Sequence, residues 1–379
     1  MHLFHIMHHL NSGIDRGIIV RIAFILERLG NGGAERVTAA LATEFSNKYG
    51  YEVHVFTCVK EQDEYELPSN VKRHVMNLGK NRIWTLKNKC DYLMKELKAI
   101  HPDIVYSLAT PKTTIMLCFL SIQRKFTLVV SERNDPNQYP KSNLLKKMRN
   151  IAYKIADGVV FQTEDAKNYF CKTIQKKGCV IPNPISANLL KPYEGVRKKR
   201  IVNFCRLEPQ KNLKLLLDSM ILVHDRFPEY SLDIYGDGVQ RKELEEYCKS
   251  NDAETYITFE GFEREVHKKI VDAALYVSSS DYEGISNSML EAIALGIPTI
   301  STDCPIGGAK MVIEDHVNGI LVPVKDVERL SQAMLEVLGN TELSQKMSVN
   351  GIKLREKFSV ENIAKKWIDF AKENTKNEK

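Results

Sequence analysis

The sequence has no run of about 18 consecutive apolar residues, so it predicts no transmembrane helix. Its eight cysteines form no C-x-x-C pair and no tight cluster with metal-ligand spacing. The first ten residues hold four histidines but no lysine or arginine, so the basic start of a signal peptide is missing. We interpret residues 1–17 as an extension with a frayed end rather than a metal site. Scattered single thiols are typical of a reducing compartment, so we expect a cytoplasmic protein.

Three patterns that mark other protein classes are also missing. No G-x-G-x-x-G fingerprint occurs and no acidic residue ends a second strand, which argues against a nicotinamide-dependent oxidoreductase. No D-x-D pair occurs, and Asp281-Tyr282-Glu283 is the nearest approach, so we expect neither a metal nor a cofactor. No basic stripe with regularly interleaved aromatic residues appears, so we expect no nucleic-acid partner.

The composition is that of a folded chain with more than one domain. At about 150 residues per domain, 379 residues predict two or three domains. Apolar residues make up 43% and charged residues 27%, which excludes a disordered or fibrous chain. Residues 1–182 hold 27 lysines and arginines against 17 acids, whereas the remainder holds 27 against 31. This change of sign indicates a domain boundary, and the basic half favours an anionic partner.

Predicted strands and helices alternate along the chain. The first strand, at 18–26, leads through a glycine-rich loop into a helix at 34–49 and a strand at 52–58. The alternation continues to residue 162, Pro182 and Pro184 interrupt it, and a second series runs from 200 to 372. The pattern predicts an α/β fold with two Rossmann-like domains, each on a parallel sheet. Ligands bind beyond the carboxyl ends of parallel strands, so we expect the site in an interdomain cleft.

Two cations follow the first strand of the second series. Arg206 and Lys211 stand five residues apart in one loop. A guanidinium binds phosphate as a planar fork and an ammonium binds it as a point charge, so the pair can straddle a diphosphate. The alternative is a solvated loop with no ligand.

A pair of glutamates marks a second candidate segment. The spacing of Glu283 and Glu291 recurs elsewhere in the chain and means little alone. Their context is informative, because Ser286 and Asn287 are good N-caps and the N–H groups up to Ser288 form an anion seat. Glu291 lies about one turn into that helix, where its carboxylate can accept two hydrogen bonds from a ribose diol.

Two segments of the first series are weaker candidates. The loop that contains Gly32 and Gly33 follows a strand and opens a helix, so it is either a phosphate-contacting loop or a tight turn. Arg133 follows another strand and would face the cleft. It either binds a phosphate or acceptor, or it pairs with Glu132.

Two basic stretches are candidates for contact with an anionic membrane. Lys80–Lys98 holds six cations, and Lys141–Lys154 holds five with no acid, the latter with apolar residues at helical spacing. Near an anionic surface each cation contributes about 1 kcal/mol. The alternative is a core-facing helix with a solvated face.

Several motifs occur in the order found in a known family. They are Gly32-Gly33-Ala34-Glu35-Arg36, Arg206 with Lys211-Asn212, Tyr235-Gly236-Asp237-Gly238, Phe259-Glu260-Gly261-Phe262, Glu283-Gly284 with Glu291-Ala292, Pro298–Thr302 and Asn318–Val322. The sequence resembles glycosyltransferase family 4, a family of retaining enzymes with the GT-B fold. The resemblance covers roughly residues 20–375. It is strongest to bacterial members that extend lipid-linked glycans or assemble capsules, such as N-acetylhexosaminyltransferases.

The resemblance implies an activity and a division of the chain. It implies transfer of a hexose or N-acetylhexosamine from a nucleotide-diphosphate sugar, UDP-linked in particular, to a lipid-linked or other glycan acceptor without a metal. The nucleotide-sugar is then a co-substrate, and the enzyme works in the cytoplasm, peripheral on the inner face of the cell membrane. The expected domains are an acceptor domain at 18–182, a donor domain at 183–358, and a helix at 359–379 that crosses back to the first domain.

The resemblance also implies roles for single residues. Arg206 and Lys211 would hold the donor diphosphate, Glu283 would face the donor sugar and Glu291 the ribose. Gly33 would bring backbone close to the phosphates. The other donor-binding positions would be Gly236, Gly261, Phe262, Gly284, Ser286, Asn287 and Ser288.

One position departs from the family pattern. Several relatives place a histidine in the segment where this chain has Arg133. That histidine is tied to the reacting region of the sugar, so Arg133 here need not make the same contact. Two further functions stay open beside transfer: a GT-B sugar-nucleotide epimerase and a non-catalytic sugar-nucleotide-binding protein.

Overall fold

The computed structural model describes residues 19–30, 32–76 and 86–375, with the backbone alone at 86 and 87. The chain forms two compact units. The first unit takes the chain up to Pro184 and again from Val360, and the second unit is Ile185–Ser359. The extension at residues 1–17 and part of the basic stretch that begins at Lys80 lie outside the described residues.

The first unit is built on a parallel sheet. Its strands are β1 Arg21–Leu26, β2 Glu52–Thr57, β3 Val71–Val75, β4 Ile104–Ser107, β5 Thr127–Glu132, β6 Gly158–Phe161 and β7 Gly178–Val180. The order across the sheet is β3-β2-β1-β4-β5-β6-β7. Ile22 on β1 therefore pairs with Val53 on one side and with Ile104 on the other. The chain order reverses between β1 and β4, and such reversal points are where α/β sheets bind ligands.

Helices of the first unit follow most of these strands. They are α1 Gly33–Asn47, α2 Leu86–Ile100, α3 Pro111–Leu120, α4 Asn143–Ile155, α5 Glu164–Asn168 and α6 Lys172–Gln175. Pro111 suits the first turn of α3, because the missing N–H would have no partner there. Ser142 caps α4 by accepting a hydrogen bond from the backbone N–H of Leu145.

The second unit repeats the architecture with another parallel sheet. Its strands are β8 Lys198–Phe204, β9 Ser231–Tyr235, β10 Ile257–Gly261, β11 Ala273–Ser278, β12 Thr299–Thr302 and β13 Ile320–Val322. Their order is β10-β9-β8-β11-β12-β13, so the reversal lies between β8 and β11. Strand β11, with the sequence AALYVS, is a nearly continuous apolar run, as expected of a strand that is covered on both faces.

The helices of the second unit cover both faces of its sheet. They are α7 Leu213–His224, α8 Arg241–Ser250, α9 Val266–Ile270, α10 Asn287–Ala294, α11 Val327–Gly339, α12 Thr341–Ile352 and α13 Leu354–Lys357. Two groups of buried apolar side chains form the core, one around Leu216 and Ile234 and the other around Tyr276 and Met289. The two units thus confirm the predicted α/β fold with two Rossmann-like domains, each built on a parallel sheet.

The last helix, α14 at Val360–Glu373, packs in the core of the first unit. Trp367 is fully buried there and meets Tyr106 of β4 edge-to-face, with 5.3 Å between the ring centroids. The Tyr106 hydroxyl donates a hydrogen bond to the backbone carbonyl of Trp367 at 3.1 Å. A helix from the C-terminus thus completes a core formed by the first half of the chain.

The structure corrects one part of the basic stretch Lys141–Lys154. Arg149 is fully buried and pairs with Glu132 at 3.2 Å, so it belongs to the interior and not to a basic surface. Leu144 and Ile151 of the same helix are instead 67% and 51% exposed. The alternative of a core-facing apolar face is therefore wrong for these two residues. The outward face of α4 combines them with exposed lysines.

Candidate active site

The predicted site residues of the second unit lie where its sheet reverses. The loop after β8 carries Arg206 and Lys211, and the segment after β11 carries Glu283 and the start of α10. Strands β8 and β11 are neighbours, so their carboxyl ends meet at one edge of the sheet. The sequence pattern indicated this edge, and the structure brings both segments to it.

Lys211 and Glu283 form the closest charged contact of this edge. The Lys211 ammonium lies 2.6 Å and 2.7 Å from the two carboxylate oxygens of Glu283. Burial of Lys211 opposes its charged form, but the neighbouring carboxylate outweighs burial and raises the pKa of Lys211. Ser280 donates a further hydrogen bond to Glu283 at 3.0 Å. The lysine is therefore a fixed cation.

Backbone and amide groups join the two loops that carry this pair. The side-chain amide of Gln210 donates to the Tyr282 carbonyl at 2.8 Å, and the Asp281 N–H donates to the Gln210 carbonyl at 3.0 Å. Asn212 has a left-handed backbone with φ 42°, caps α7, and donates its amide to Asp281 at 2.8 Å. These bonds fix the register of one loop on the other.

Arg206 differs from Lys211 in its surroundings. It is exposed, whereas Lys211 is buried. Its charge nevertheless acts against the protonated form of Lys211, so the two cations lie within electrostatic reach of each other. A buried, oriented cation beside an exposed one suits a diphosphate that enters from solvent.

Glu291 has a partner that the sequence did not indicate. Its carboxylate is buried on α10 and lies 3.0 Å from the Nε2 atom of His267 on α9. The imidazole also meets the ring of Phe204 at right angles, with centroids 6.1 Å apart. His267 is 24 residues away from Glu291 on a different helix and belongs to no motif, so no spacing could have revealed it.

Glycines stand near this edge of the sheet for different structural reasons. Gly236 has φ 129°, and a Cβ there would lie 1.8 Å from the Cys205 carbonyl oxygen. Gly261 has φ 78° and accepts a hydrogen bond from the Gly236 N–H at 2.7 Å. Gly284 is buried, and its carbonyl oxygen lies 1.7 Å from where a Cβ of Gly308 would be. Close approach of the chain's own backbone explains Gly236.

The start of α10 forms as its N-cap pattern predicts. Ser286 accepts a hydrogen bond from the Met289 N–H at 3.4 Å. Asn287 and Ser288, the first residues of the helix, are partly exposed. Phe262, after β10, is 54% exposed, which makes it a surface aromatic ring at the same end of the sheet.

In the first unit, Gly32 and Gly33 stand at the start of α1. Gly32 is the N-cap and its N–H donates to the Gly30 carbonyl at 2.7 Å. A Cβ at Gly32 would lie 2.0 Å from a carboxylate oxygen of Glu35, so this glycine makes room for a side chain of its own helix. The structure therefore shows the tight turn, and a ligand contact stays a prediction.

Arg133 follows β5 at the carboxyl edge of the first sheet. Its guanidinium donates to the side-chain oxygen of Asn183, and to Ser131 Oγ at 3.4 Å. Glu132 does not pair with it, because that carboxylate contacts Arg149 and the hydroxyl of Tyr153. The alternative of an Arg133–Glu132 pair is therefore wrong.

Within the described ranges, no three histidine, cysteine or acidic side chains come together as they would around a metal ion. No helix in these ranges is both long enough and apolar enough to cross a membrane.

Two family models match the chain in succession. Residues 31–189 match the model of Glycosyltransferase Family 4, and residues 191–354 match that of Glycosyl transferases group 1. The matches cover the second sheet and every strand of the first sheet except β1, and the second match contains Arg206, Lys211, Glu283 and Glu291.

Relatives with known names span nearly the whole chain. One is the GalNAc-alpha-(1->4)-GalNAc-alpha-(1->3)-diNAcBac-PP-undecaprenol alpha-1,4-N-acetyl-D-galactosaminyltransferase of Campylobacter jejuni, 27% identical over 94% of this chain and 99% of the relative. Another is the amylovoran biosynthesis glycosyltransferase AmsD of Erwinia amylovora, 23% identical over 92% of this chain and 99% of the relative. The crystal structure of Anabaena Alr3699/HepE in complex with UDP and glucose matches with a TM-score of 0.77 and 19% identity, over 92% of this chain and 98% of that one. The chain belongs to glycosyltransferase family 4 and is a glycosyltransferase with the GT-B fold.

Proposed function

We propose that this enzyme transfers a hexose or N-acetylhexosamine from a UDP-sugar to a lipid-linked glycan with retention of the anomeric configuration. The observation that carries the proposal is the placement of two cations, the exposed Arg206 and the buried Lys211, at the reversal point of the second sheet. Similar proteins support the choice of substrates. The structural neighbour from Anabaena was crystallised with UDP and glucose, and the name of the Campylobacter jejuni relative contains a PP-undecaprenol glycan.

The proposed chemistry depends on charge that develops at the donor diphosphate. As the sugar–phosphate bond breaks, negative charge grows on the leaving diphosphate and positive charge on the sugar. Arg206 and Lys211 stabilise the diphosphate, and the N–H groups at the start of α10 add to their effect. Glu283 holds the Lys211 ammonium in place through two short contacts, so little reorganisation is needed. Glu291 accepts hydrogen bonds from the ribose hydroxyls of the donor. The acceptor hydroxyl attacks the sugar on the face from which the diphosphate departs and gives its proton to the departing phosphate, so the anomeric configuration is retained.

We propose the products to be cell-surface polysaccharide, such as capsule or lipopolysaccharide, or the glycans of glycoproteins. The enzyme then works at the cytoplasmic face of the membrane that holds its acceptor. The outward face of α4 supports this location, because Leu144 and Ile151 are exposed beside the exposed Lys147 and Lys154. Apolar residues next to lysines are typical of helices that rest on anionic lipid.

Transfer can be tested with purified protein and a set of UDP-sugars. Lys211→Ala and Glu291→Ala are each expected to lose about two decades of donor kcat/KM, the first because a transition-state contact is removed and the second because the ribose is bound less well. Lys214→Ala is the matched control, because this exposed lysine lies three residues further along and pairs with Asp218. Near-normal turnover in the first two variants would contradict the assignment. Incubation with donor alone separates transfer from epimerisation.

Membrane contact can be tested by flotation with vesicles of phosphatidylglycerol and phosphatidylethanolamine. Lys147→Glu with Lys154→Glu should reduce the bound fraction, and Leu144→Asp should reduce it further. The control reverses the same number of charges at the exposed Lys346 and Lys353 of the second unit. Equal flotation of the α4 variant and wild type would reject docking through this face.

A further inference from the structure

Arg133 is a partly buried cation whose hydrogen bonds are all to neutral groups. It donates to the side-chain oxygen of Asn183 and, at 3.4 Å, to Ser131 Oγ. Gln162 donates to the same Asn183 oxygen at 2.6 Å, which fixes that oxygen between two donors. Across the parts of the chain that the structure describes, no ion pair includes Arg133. The guanidinium is thus oriented by dipoles and not by a carboxylate.

A second guanidinium lies beside the first. Arg36, in the first turn of α1, donates a hydrogen bond to the backbone carbonyl of Pro184 at 2.9 Å. Pro184 is the residue after Asn183. The charge of Arg36 acts against the protonated form of Arg133. Burial lowers the pKa of Arg133 to about 10 and the pKa of Arg36 to about 10. Two cations are therefore held together in a partly desolvated place.

Glu35 is the acid that acts most strongly on Arg133. It favours the charged form of Arg133, but its own ion pair is with Arg28 at 3.6 Å. Like charges that share a desolvated edge are unfavourable unless an anion joins them. A guanidinium that is aligned in advance offers a planar pair of donors, which suits carboxylate and phosphate oxygens.

We infer that Arg133 and Arg36 form an oxyanion site at the carboxyl edge of the first sheet, which binds an anionic group of a substrate. This inference rests on the proposed function, because it assigns the group to the transfer reaction. The group is either the diphosphate of a lipid-linked acceptor or a carboxylate on a transferred or accepting sugar. A diphosphate and a carboxylate both present paired oxygens to the planar donors of a guanidinium, and kinetics can distinguish the two groups.

Binding is tested first, by calorimetric titration of the full-length protein with inorganic pyrophosphate. Wild type should bind at two sites. Arg133→Leu should lose one of them, and the double variant Arg206→Ala, Lys211→Ala should lose the other. A thermal melt confirms that each variant is folded, and Arg133→Lys, which keeps the charge but not the fork, should bind with intermediate affinity.

The titration separates failure of the inference from failure of the proposed function. If wild type binds one pyrophosphate and only the Arg206, Lys211 variant loses it, this inference is overturned while the donor site stands. If neither variant changes binding, both are overturned.

Kinetics then identify the source of the anion. Wild type and Arg133→Leu are compared on one glycan carried by a diphosphate lipid or by a neutral alkyl linker, and on a UDP-hexose or the matching UDP-hexuronic acid. The preference for the anionic member of the responsible pair should fall about 10- to 100-fold in the variant, the usual effect of losing a charge-assisted contact. Equal losses on all four substrates would show a scaffolding role and overturn the inference.

Discussion

The ammonium of Lys211 contacts both carboxylate oxygens of Glu283, at 2.6 Å and 2.7 Å. The carboxylate therefore favours the charged form of a lysine whose burial opposes that form. Because the pKa of Lys211 is raised, the stabilisation from its charge is complete below the ordinary lysine value and is lost as pH rises through the raised value.

Glu283→Gln should therefore shift the alkaline limit of transfer to lower pH. The amide has the shape of the carboxylate but lacks the charge, so burial would dominate the pKa of Lys211. Turnover near neutral pH should also fall by about two decades, because the Lys211 ammonium would lose the contacts that hold it at the donor diphosphate. The pH–rate profile of donor turnover measures both effects. An unchanged alkaline limb would show that Glu283 does not control Lys211.

His267→Ala should weaken donor binding more than it slows transfer. The imidazole contacts Glu291 at 3.0 Å and is expected to hold that carboxylate toward the ribose. Removing a hydrogen-bond partner from a buried carboxylate costs about 1–3 kcal/mol, which would appear as a raised donor KM. His267→Asn, which can still donate a hydrogen bond, should recover part of the affinity. A fall in kcat with unchanged KM would contradict a positioning role.

Gly236→Ala should destabilise the second unit far more than an ordinary glycine replacement. The new Cβ would lie 1.8 Å from the Cys205 carbonyl, and φ is 129°. Gly50→Ala is the control, because Gly50 has φ 65° with open space around its Cβ position. The control should cost only about 1–2 kcal/mol for the left-handed backbone. Urea unfolding measures both, and equal losses would show that the clash relaxes.

The alternating elements and the sheet edge that carries the site could be predicted from the sequence. Apolar strand runs are read directly, and strand ends place Arg206, Lys211 and Glu283 at one edge. Elements without a clear hydrophobic period cannot be predicted in this way. Strand β3, with sequence VKRHV, is mostly polar, and helix α3, PKTTIMLCFL, is apolar on nearly every side.

Partners that meet only in three dimensions could not be predicted. Arg149 looks like part of a basic surface, yet Glu132, 17 residues earlier, draws it into the interior. His267 reaches Glu291 from another helix. The pairing of Lys211 with Glu283 joins residues 72 apart, and no local spacing encodes it.

The neighbouring strands β2 and β3 carry two imidazoles in contact. The Nδ1 atom of His54 lies 2.9 Å from the Nε2 atom of His74, so one ring donates and the other accepts. Burial lowers the pKa of both histidines, and each charge would oppose the other. Nearby acids, Glu52 at 3.2 Å from His54 and Glu96 at 3.9 Å from His74, do not reverse this direction.

The first unit should therefore lose stability as the solution becomes mildly acidic. Because both folded pKa values lie below that of a free histidine, the unfolded chain binds more protons between those values. The stabilisation is present above about pH 6.5 and is lost as pH falls through the folded pKa values. Urea unfolding followed by the fluorescence of the buried Trp367 should show a lower midpoint at about pH 5 than at about pH 7.5. His74→Asn removes one of the two titrations and should flatten this slope, whereas an equal slope in wild type and variant would show that the contact does not govern it.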